Sequence, residues 1–399
     1  MASDPQVVRE LPIERSCPFS PPTGLTELRD ESPIRRLMYH GGHEGWLVTG
    51  HAAARAVLAD VRFSSRPELF RSPAPLPPPA RRDPQAAPGI LTEFDPPEHT
   101  RYRRLLTGQF TVRRMNQLTS RIEQITEEHL DAMEQAGPPT DLVTAYALPI
   151  PSLVICELLG VPYADREQFQ RNSNTLFDLT ATPEQSMAAF KELESFLLDL
   201  VRRKRSAPED DLISGLLTDD ELTDQEAANI GIMLLIAGHE TTANMIALGV
   251  FALLRHPDQL AALRADPDLA ANAVEELMRY LSIVHIGPVR TAVADVEIEG
   301  QLIRAGESVT VSVPAANWDP AKFPEPERLD LTRRTSGHLA FGHGVHQCLG
   351  QQLARVEMRV AYPALLRRFP NLRLTVAPEE VRLRTDMAVY GVHELPVAW

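Results

Sequence analysis

The stretch FGHGVHQCLG, Phe341–Gly350, places one of the chain's three cysteines among three glycines and two histidines. A cysteine thiolate is a strong, soft metal ligand, but reaching the metal of a flat macrocycle demands a close approach of the backbone. Glycine permits that approach because it lacks Cβ and tolerates positive φ. Amides exposed in such a turn can donate to the sulfur and tune its electron density. The stretch therefore predicts a tight, glycine-dependent loop in which Cys348 could bind a metal.

Two other interpretations of this loop stay open. A lone cysteine beside a glycine-rich turn is more often an ordinary buried side chain. A zinc site is the more specific alternative, because four potential ligands fall within eleven residues, namely His338, His343, His346 and Cys348.

The composition is that of an acidic globular protein, with 43% hydrophobic residues and a formal net charge of -14. The charge argues against a nucleic-acid partner, since phosphate binding needs clustered Lys and Arg. The first residues, MASDPQVVRELPIERS, lack the apolar region of a signal peptide. The apolar run IGIMLLIAG is far shorter than the roughly 20 residues that span a bilayer, and three widely spaced cysteines make no disulfide framework. We expect a cytoplasmic monomer without a membrane anchor.

The spacing of apolar residues predicts a mainly α fold with a minor antiparallel β region, in a single domain over 1–399. Apolar residues recur every three or four positions over about 98–281 and over 349–369, which predicts helices. The period changes to two near 35–50, 290–315 and 371–399, and VEIEGQLIRAGESVTVSV within the second range predicts a small antiparallel sheet. Seven prolines between Pro73 and Pro88 exclude helix and central strand and predict an irregular loop. Such a loop is either a lid or a linker between domains, and we favour a flexible substrate lid over about 66–92.

A long apolar helix is expected to carry AGHETT, Ala237–Thr242, through the core. Glycine inside a helix costs roughly 1 kcal/mol relative to alanine, and Glu240 and Thr241 place polar groups where unpaired ones are expensive. The ordinary explanation is that the threonines bond back to the preceding turn and Glu240 reaches the surface. Because every disfavoured residue falls in one turn, we favour a functional role.

The cysteine stretch resembles the heme-binding signature of the cytochrome P450 family, which Phe341, Gly344, His346, Cys348 and Gly350 fill at every fixed place. AVEELMRY resembles the family's Glu-x-x-Arg motif, and ANWDPAKFPEPERLDL resembles the segment before the heme loop. The resemblance runs from about Cys17 to Trp399. It implies a triangular prism of helices enclosing heme b, and a buried network of Glu276, Arg279 and Arg328.

The resemblance also implies the roles of individual residues. Cys348 would bind the iron, with Phe341 and Gly342 beside it, while Ala237 and Gly238 would leave room for dioxygen. Glu240 and Thr241 would form the acid–alcohol pair that relays protons for cleavage of the O–O bond. The contacts to the heme propionates would come from His99, Arg103, Arg290 and His346. The substrate pocket would be lined by Leu234, Ile283, Val284, His285 and Val389.

The activity implied is that of a soluble actinomycete monooxygenase, which uses O2 and two electrons to hydroxylate a bulky hydrophobic substrate. The chain has no dinucleotide fingerprint and no cysteine cluster for iron–sulfur, so electrons must come from partners. The resemblance implies a ferredoxin and an NAD(P)H-dependent ferredoxin reductase. A basic docking patch is expected from Arg103, Arg104, Arg113, Arg114, Arg355 and Arg359.

The substrate class that the resemblance favours is a macrolide or polyketide of antibiotic biosynthesis. Four alternatives remain at this point: a P450 for xenobiotics, steroids or terpenoids, a heme protein without oxygenase activity, a zinc-binding interaction protein, and a peroxygenase that uses hydrogen peroxide.

Overall fold

The structure, a computed structural model, describes residues 7–74, 88–162, 166–218, 221–284 and 286–399. His285 and residues 75–87 of the expected lid lie outside this range. The chain forms two compact units. The first comprises Met1–Arg103, Met278–Arg328 and Thr335–Cys348, and the second comprises Arg104–Leu277, Leu329–Arg334 and Leu349–Trp399.

Helices dominate the described residues, as the apolar spacing predicts. In chain order they are α1 (Leu25–Glu31), α2 (His51–Ala59), α3 (Glu98–Thr107), α4 (Val112–Gln117), α5 (Thr119–Ala136), α6 (Pro149–Leu159), α7 (Arg166–Phe177), α8 (Pro183–Ser206), α9 (Leu212–Leu216), α10 (Asp224–Arg255), α11 (Pro257–Ala265), α12 (Ala270–Leu281), α13 (Val313–Asn317) and α14 (Gln351–Arg368). The strands are β1 (Val7–Val8), β2 (Ile34–Tyr39), β3 (His43–Val48), β4 (Phe63–Ser64), β5 (Thr140–Asp141), β6 (Val289–Ala292), β7 (Val296–Ile298), β8 (Gln301–Ile303), β9 (Ser308–Val311), β10 (Arg373–Leu374) and β11 (Pro396–Ala398).

The first unit contains a six-stranded sheet in the order β1-β2-β3-β9-β6-β4. Strands β2 and β3 form an antiparallel hairpin, and its turn requires positive φ at Gly41 and Gly42. Strand β9 pairs in parallel with β3 and antiparallel with β6. Strands β1 and β2 also pair in parallel. The sheet thus contains both parallel and antiparallel pairs. The inner side chains of β3 and β9, such as Val48 and Val311, share one hydrophobic core.

The prediction that residues 296–313 form one small sheet is partly wrong. Strands β7 and β8 pair only with each other, as an antiparallel hairpin around Gly300. Strand β9 leaves this hairpin and joins the larger sheet. Alternation predicts each strand correctly, but it carries no information about the partner of a strand.

The second unit is organised around α10, which packs against α6, α8 and α14. Thr223 and Glu226 form a capping box that fixes its start. Among the described residues α10 is the one helix long and apolar enough to cross a membrane, but 72% of its apolar window is buried inside the protein. That burial identifies a core helix, as the apolar pattern predicts. Strands β10, β11 and β5 form a small antiparallel sheet in the same unit.

Candidate functional site

The cysteine loop forms a closed turn in the first unit. The amide of Cys348 donates to the carbonyl of Phe341 at 2.8 Å, and Gln347 N donates to Gly344 O at 3.0 Å. Gly342 and Gly344 hold φ values of +69° and +74°, as the glycine pattern predicts. Cys348 itself is exposed. The loop therefore presents the cysteine, and the interpretation as an ordinary buried side chain is wrong.

Gly344 is required by packing against the protein itself. A Cβ at this position would lie 2.9 Å from Cα of Ala59 and 3.0 Å from the carbonyl carbon of Leu58, at the end of α2. Real Cβ atoms do not approach backbone so closely. Gly344 thus anchors the loop on α2, in addition to any close approach to a cofactor.

Two histidines are in contact at this loop: buried His99 of α3 and half-buried His346 of the loop itself. His99 is 2% exposed, and neither of its ring nitrogens has a hydrogen-bond partner among the described residues. Its ring centroid lies 4.3 Å from that of His346, whose Nε2 lies 3.1 Å from Oγ of Ser65. Burial, followed by the charge of Arg290, lowers the pKa of His346 to about 3. Burial likewise lowers the pKa of His99, so both rings are neutral near pH 7.

Two half-buried arginines complete this part of the first unit. Nη1 of Arg103 donates to the carbonyl of Gln347 at 2.7 Å, next to the cysteine. Burial lowers the pKa of Arg290, and the nearby carboxylate of Asp95 partly offsets this. Half-buried guanidinium groups and unpartnered imidazole nitrogens suit a bound group that carries carboxylates. The residues therefore fit a heme, whose carboxylates these side chains could bind.

The polar turn of α10 lies in the second unit. Oγ1 of Thr241 donates to the carbonyl of Ala237 at 2.7 Å, so the threonine does bond back to the preceding turn. Glu240 does not reach the surface: it is fully buried, and its Oε2 accepts from Nη2 of Arg384 at 3.0 Å and from Nδ2 of Asn244 at 3.2 Å. Ala237 and half-buried Thr241 lie on a more exposed face of this helix. The turn thus combines an ionic anchor with an accessible hydroxyl.

Packing explains why position 238 is a glycine, and the sequence alone does not reveal this. A Cβ at this position would lie 2.9 Å from Cγ1 and 3.0 Å from Cδ1 of Ile155 on α6. The close approach that Gly238 permits is therefore the packing of α10 against α6. Room for dioxygen beside Gly238 stays a prediction.

Of the residues of the expected Glu-x-x-Arg network, Glu276 and Arg279 are buried, whereas Arg328 is exposed. In the first unit Nη1 of Arg279 donates to Asn317 O at 3.0 Å and to Pro326 O at 2.9 Å, and Nη2 lies 3.5 Å from Arg328 O. In the second unit Glu276 is fully buried. Its Oε1 lies 3.1 Å from Nε of Arg333, an arginine that sequence reasoning missed.

The expected substrate-contacting residues are mostly buried. Leu234 and Val389 of the second unit are 7% and 5% exposed, and Ile283 of the first unit is 6% exposed. Val284 is half-buried. A pocket of about 370 Å³ opens in the second unit, but polar side chains dominate its lining, and neither Leu234 nor Val389 contributes to it. The structure thus describes a pocket that sequence reasoning did not predict.

The predicted docking arginines are partly engaged within the protein. In the second unit Arg104 forms an ion pair with Glu221 at 2.7 Å, and Arg355 pairs with Glu275 at 2.6 Å. Arg113 is exposed.

The zinc alternative has no support, because no group of three or more His, Cys, Asp or Glu side chains in the described part of the chain could hold a metal ion.

Comparison with known proteins adds the family. The family model for "Cytochrome P450" matches residues 189–389. Cytochrome P450 105C1 of a Streptomyces species is 54% identical and covers 96% of both chains. Pentalenic acid synthase of Streptomyces avermitilis is 46% identical over 97% of this chain and 96% of its own. The crystal structure of CYP105P1 in complex with filipin I superposes with a TM-score of 0.92, at 46% identity over 98% of this chain and 99% of its own.

These matches confirm the expected mainly helical fold with its minor β region. They also overturn the alternative of a heme protein without oxygenase activity, since the similar proteins are P450 enzymes over almost their full length. This chain belongs to the cytochrome P450 family, the heme b-dependent monooxygenases.

Proposed function

We propose that this P450 hydroxylates a C–H bond of a bulky hydrophobic secondary metabolite, with a macrolide or polyketide as the substrate class. The observation that carries the proposal is the exposed Cys348 in a loop anchored by Gly344, with Arg103 bonded next to it. Such a loop would offer the Cys348 sulfur to a heme iron.

Heme b would be held by Cys348 through its sulfur and by the Arg103 and Arg290 guanidinium groups through its carboxylates, with His99 and His346 as hydrogen-bond partners. When bound, heme supplies the redox chemistry that activates dioxygen. The neutral state of His346 is useful in this arrangement, because a neutral imidazole can still donate one hydrogen bond.

Proton supply is assigned to Glu240 and Thr241. Hydroxylation follows RH + O2 + 2e⁻ + 2H⁺ → ROH + H2O, so two protons are consumed in each turnover. A positioned carboxyl group can take protons from water and pass them to a neighbouring hydroxyl. Thr241 is part-exposed and Glu240 is buried with Arg384 as its counter-ion, which supports this division of roles.

The substrate class is supported by one similar structure and by the predicted apolar lining. CYP105P1, at a TM-score of 0.92, was solved with filipin I bound. Leu234, Ile283 and Val389 are aliphatic, as expected for a pocket that binds an apolar ligand. A terpenoid, one of the alternatives that the sequence leaves open, is the second candidate.

Electrons are proposed to come from a ferredoxin and an NAD(P)H-dependent ferredoxin reductase, with exposed Arg113 as one docking residue. We also propose a cytoplasmic monomer in which 1–399 act as one P450 domain. The coverage of 96% of both chains in the comparison with cytochrome P450 105C1 supports the single domain.

The thiolate assignment is tested by Cys348→Ser, with Cys17→Ser as the matched control because both cysteines are exposed. After reconstitution with hemin, the ferrous–CO spectrum should lose its red-shifted Soret band in Cys348→Ser and keep it in Cys17→Ser. A normal band in Cys348→Ser would overturn the ligand assignment. A spectral-shift screen with macrolides, terpenoids and steroids then tests the substrate class, and the macrolide proposal fails if only other classes shift the spectrum.

A further inference from the structure

The polar pocket of the second unit is lined by α10, the end of α7 and the last segment of the chain. The part of α10 that lines it is one stripe at three- and four-residue spacing, formed by Glu240, Ala243, Asn244 and Ala247. At about 3.6 residues per turn, this stripe is centred about a quarter turn from the face that carries Ala237 and Thr241. Neither of these two residues belongs to the described lining. The pocket is therefore on a different face of α10 from the accessible hydroxyl.

The inner end of the pocket has one unpartnered acceptor and one unpartnered donor. Oε1 of Glu240 and Nε of Arg384 are buried without a hydrogen-bond partner among the described residues. Both residues line the pocket, at 0% and 8% exposure. Buried polar atoms are normally paired, and one hydroxyl group can donate to a carboxylate and accept from a guanidinium. Water can do the same, so the rest of the lining decides between water and a ligand.

Carboxylates give the outer part of the pocket an excess of negative charge. Asp178, which follows α7, accepts from the amide and the hydroxyl of Thr180 with the same oxygen, Oδ1. Asp386 pairs with Nε2 of His393 at 2.7 Å, and its side chain is 47% exposed. With Glu240, the described lining has three acids against one arginine, and the acids outnumber the cations even when His393 is protonated. The lining therefore favours a ligand that carries a positive charge.

The size and the apolar part of the lining fit a small saturated ring. A volume of about 370 Å³ lies within the range of about 300–1,000 Å³ that is typical of small-molecule sites. Val143, Leu148 and Met387 contribute apolar surface beside the polar groups. Ring carbons can pack on these side chains while ring hydroxyls bond to the polar ones. A cluster of waters gains nothing from the apolar surface.

We propose that the polar pocket binds a small cyclic amine that carries hydroxyl groups, a ligand of amino-sugar chemistry, at a site other than the one that holds heme and substrate. A ring hydroxyl pairs with Glu240 and Arg384 at the inner end. The ammonium group lies among the carboxylates of Asp178 and Asp386. The ligand thereby joins α7, α10 and the last segment of the chain. The inference is independent of the substrate class proposed for the heme site.

Three probes of similar size separate the parts of this proposal, namely glucosamine, glucose and cyclohexylamine. Each is titrated into the heme-loaded enzyme at about pH 6.5, where the amines carry a proton, and binding is followed by ligand-observed NMR. We expect glucosamine to bind with a dissociation constant of about 1 mM or tighter. Glucose lacks the amine and should bind about threefold more weakly, since the outer carboxylates are partly exposed. Cyclohexylamine leaves the buried atoms unpaired and should bind at least about tenfold more weakly.

Asp178→Asn tests the charged part of the site, with Glu394→Gln as the matched control. Glu394 adjoins His393 but is not part of the described lining, and its side chain is 53% exposed. Asp178→Asn should weaken the binding of glucosamine about threefold and leave that of glucose unchanged, whereas Glu394→Gln should alter neither. Arg384→Lys keeps a cation beside Glu240 but lacks Nε, so it should weaken the binding of both sugars about tenfold.

Thr175→Phe fills the pocket from α7 without altering a charged group. It should remove the binding of both sugars, provided that the CO spectrum and thermal unfolding show a folded enzyme. Thr144→Phe, from the segment before α6, serves in its place if Thr175→Phe does not fold. Saturation of the heme site with 4-phenylimidazole, which ligates the iron through a ring nitrogen, should leave the binding of glucosamine unchanged.

The contrary results are equally definite. If no probe binds at about 50 mM, the pocket holds water only and the inference is overturned. It is also overturned if glucose or cyclohexylamine binds as tightly as glucosamine, because the site then selects neither the amine nor the hydroxyls as proposed. If 4-phenylimidazole displaces glucosamine, or if the filled variants bind it normally, the probe occupies another site. The monooxygenase function rests on separate measurements and stands in each of these cases.

Discussion

Replacing Gly344 with alanine tests how the cysteine loop is held. The φ value of +74° at this position costs an alanine about 1–2 kcal/mol. The new Cβ would also lie 2.9 Å from Cα of Ala59, and such overpacking typically costs about 1–3 kcal/mol. The two costs together predict that Gly344→Ala lowers the free energy of unfolding by about 2–5 kcal/mol.

Two other glycines of the same stretch supply graded controls. Gly342 has a φ of +69°, but its Cβ would meet only the carbonyl oxygen of His346, at 4.0 Å, so Gly342→Ala should cost about 1–2 kcal/mol. Gly350 has a φ of -80° and no described atom within 4 Å of its Cβ position, so Gly350→Ala should cost under about 1 kcal/mol. Urea unfolding and the heme content of each purified variant give the measurement. Equal losses at Gly344 and Gly350 would refute the claim that α2 anchors the loop.

Three further predictions concern the cores of the units. Gly238→Ala should destabilise by about 1–3 kcal/mol, and less in an Ile155→Ala background, as a double-mutant cycle of urea unfolding can measure. Burial raises the pKa of Glu357 to about 8, so the folded protein keeps a proton that the unfolded chain loses above about pH 4.3. The free energy of unfolding should therefore fall as pH rises from about 5 to about 8, and Glu357→Gln should remove most of this fall. Arg333→Gln should cost about 1–3 kcal/mol, because it leaves the Glu276 carboxylate with one cation fewer.

Exposed neighbours supply the controls for these variants. Arg334→Gln should be nearly neutral, since Arg334 is exposed beside Arg333, and equal effects at both positions would contradict the ion-pair argument. Glu379 is likewise exposed, so Glu379→Gln should leave the pH dependence intact. A stability that does not change with pH in the wild type would show that Glu357 is ionised when folded. Additive effects of Gly238→Ala and Ile155→Ala would exclude the proposed helix contact.

The cysteine loop and the core helix could be predicted because their signals are local. Three glycines around Cys348 specify a turn whatever surrounds it, and two of them do adopt positive φ. A carboxylate and a hydroxyl in one turn of an apolar helix likewise mark a position that needs an explanation. Local chemistry therefore marks the candidate functional residues.

The partners of those residues could not be predicted, because they come from distant segments. Arg384 lies 144 positions from Glu240, in the irregular stretch RLRTDM, which carries no periodic signal. Arg333 follows the expected meander arginine and looks like an ordinary exposed residue. The pairing of β9 with β3 is likewise a choice among equally alternating strands. Long-range pairing is decided by the packed core, which one sequence does not display.

The position of β9 in the first unit has a consequence for biosynthesis. This strand lies between β3 and β6 in the sheet, yet about 260 residues separate it from the end of β3. At translation rates of about 5–20 residues per second, the hairpin of β2 and β3 waits on the ribosome for roughly 10 to 50 s with one edge open. An open, apolar strand edge is an aggregation hazard, so nascent chains stalled before Ser308 should be the ones that chaperones retain.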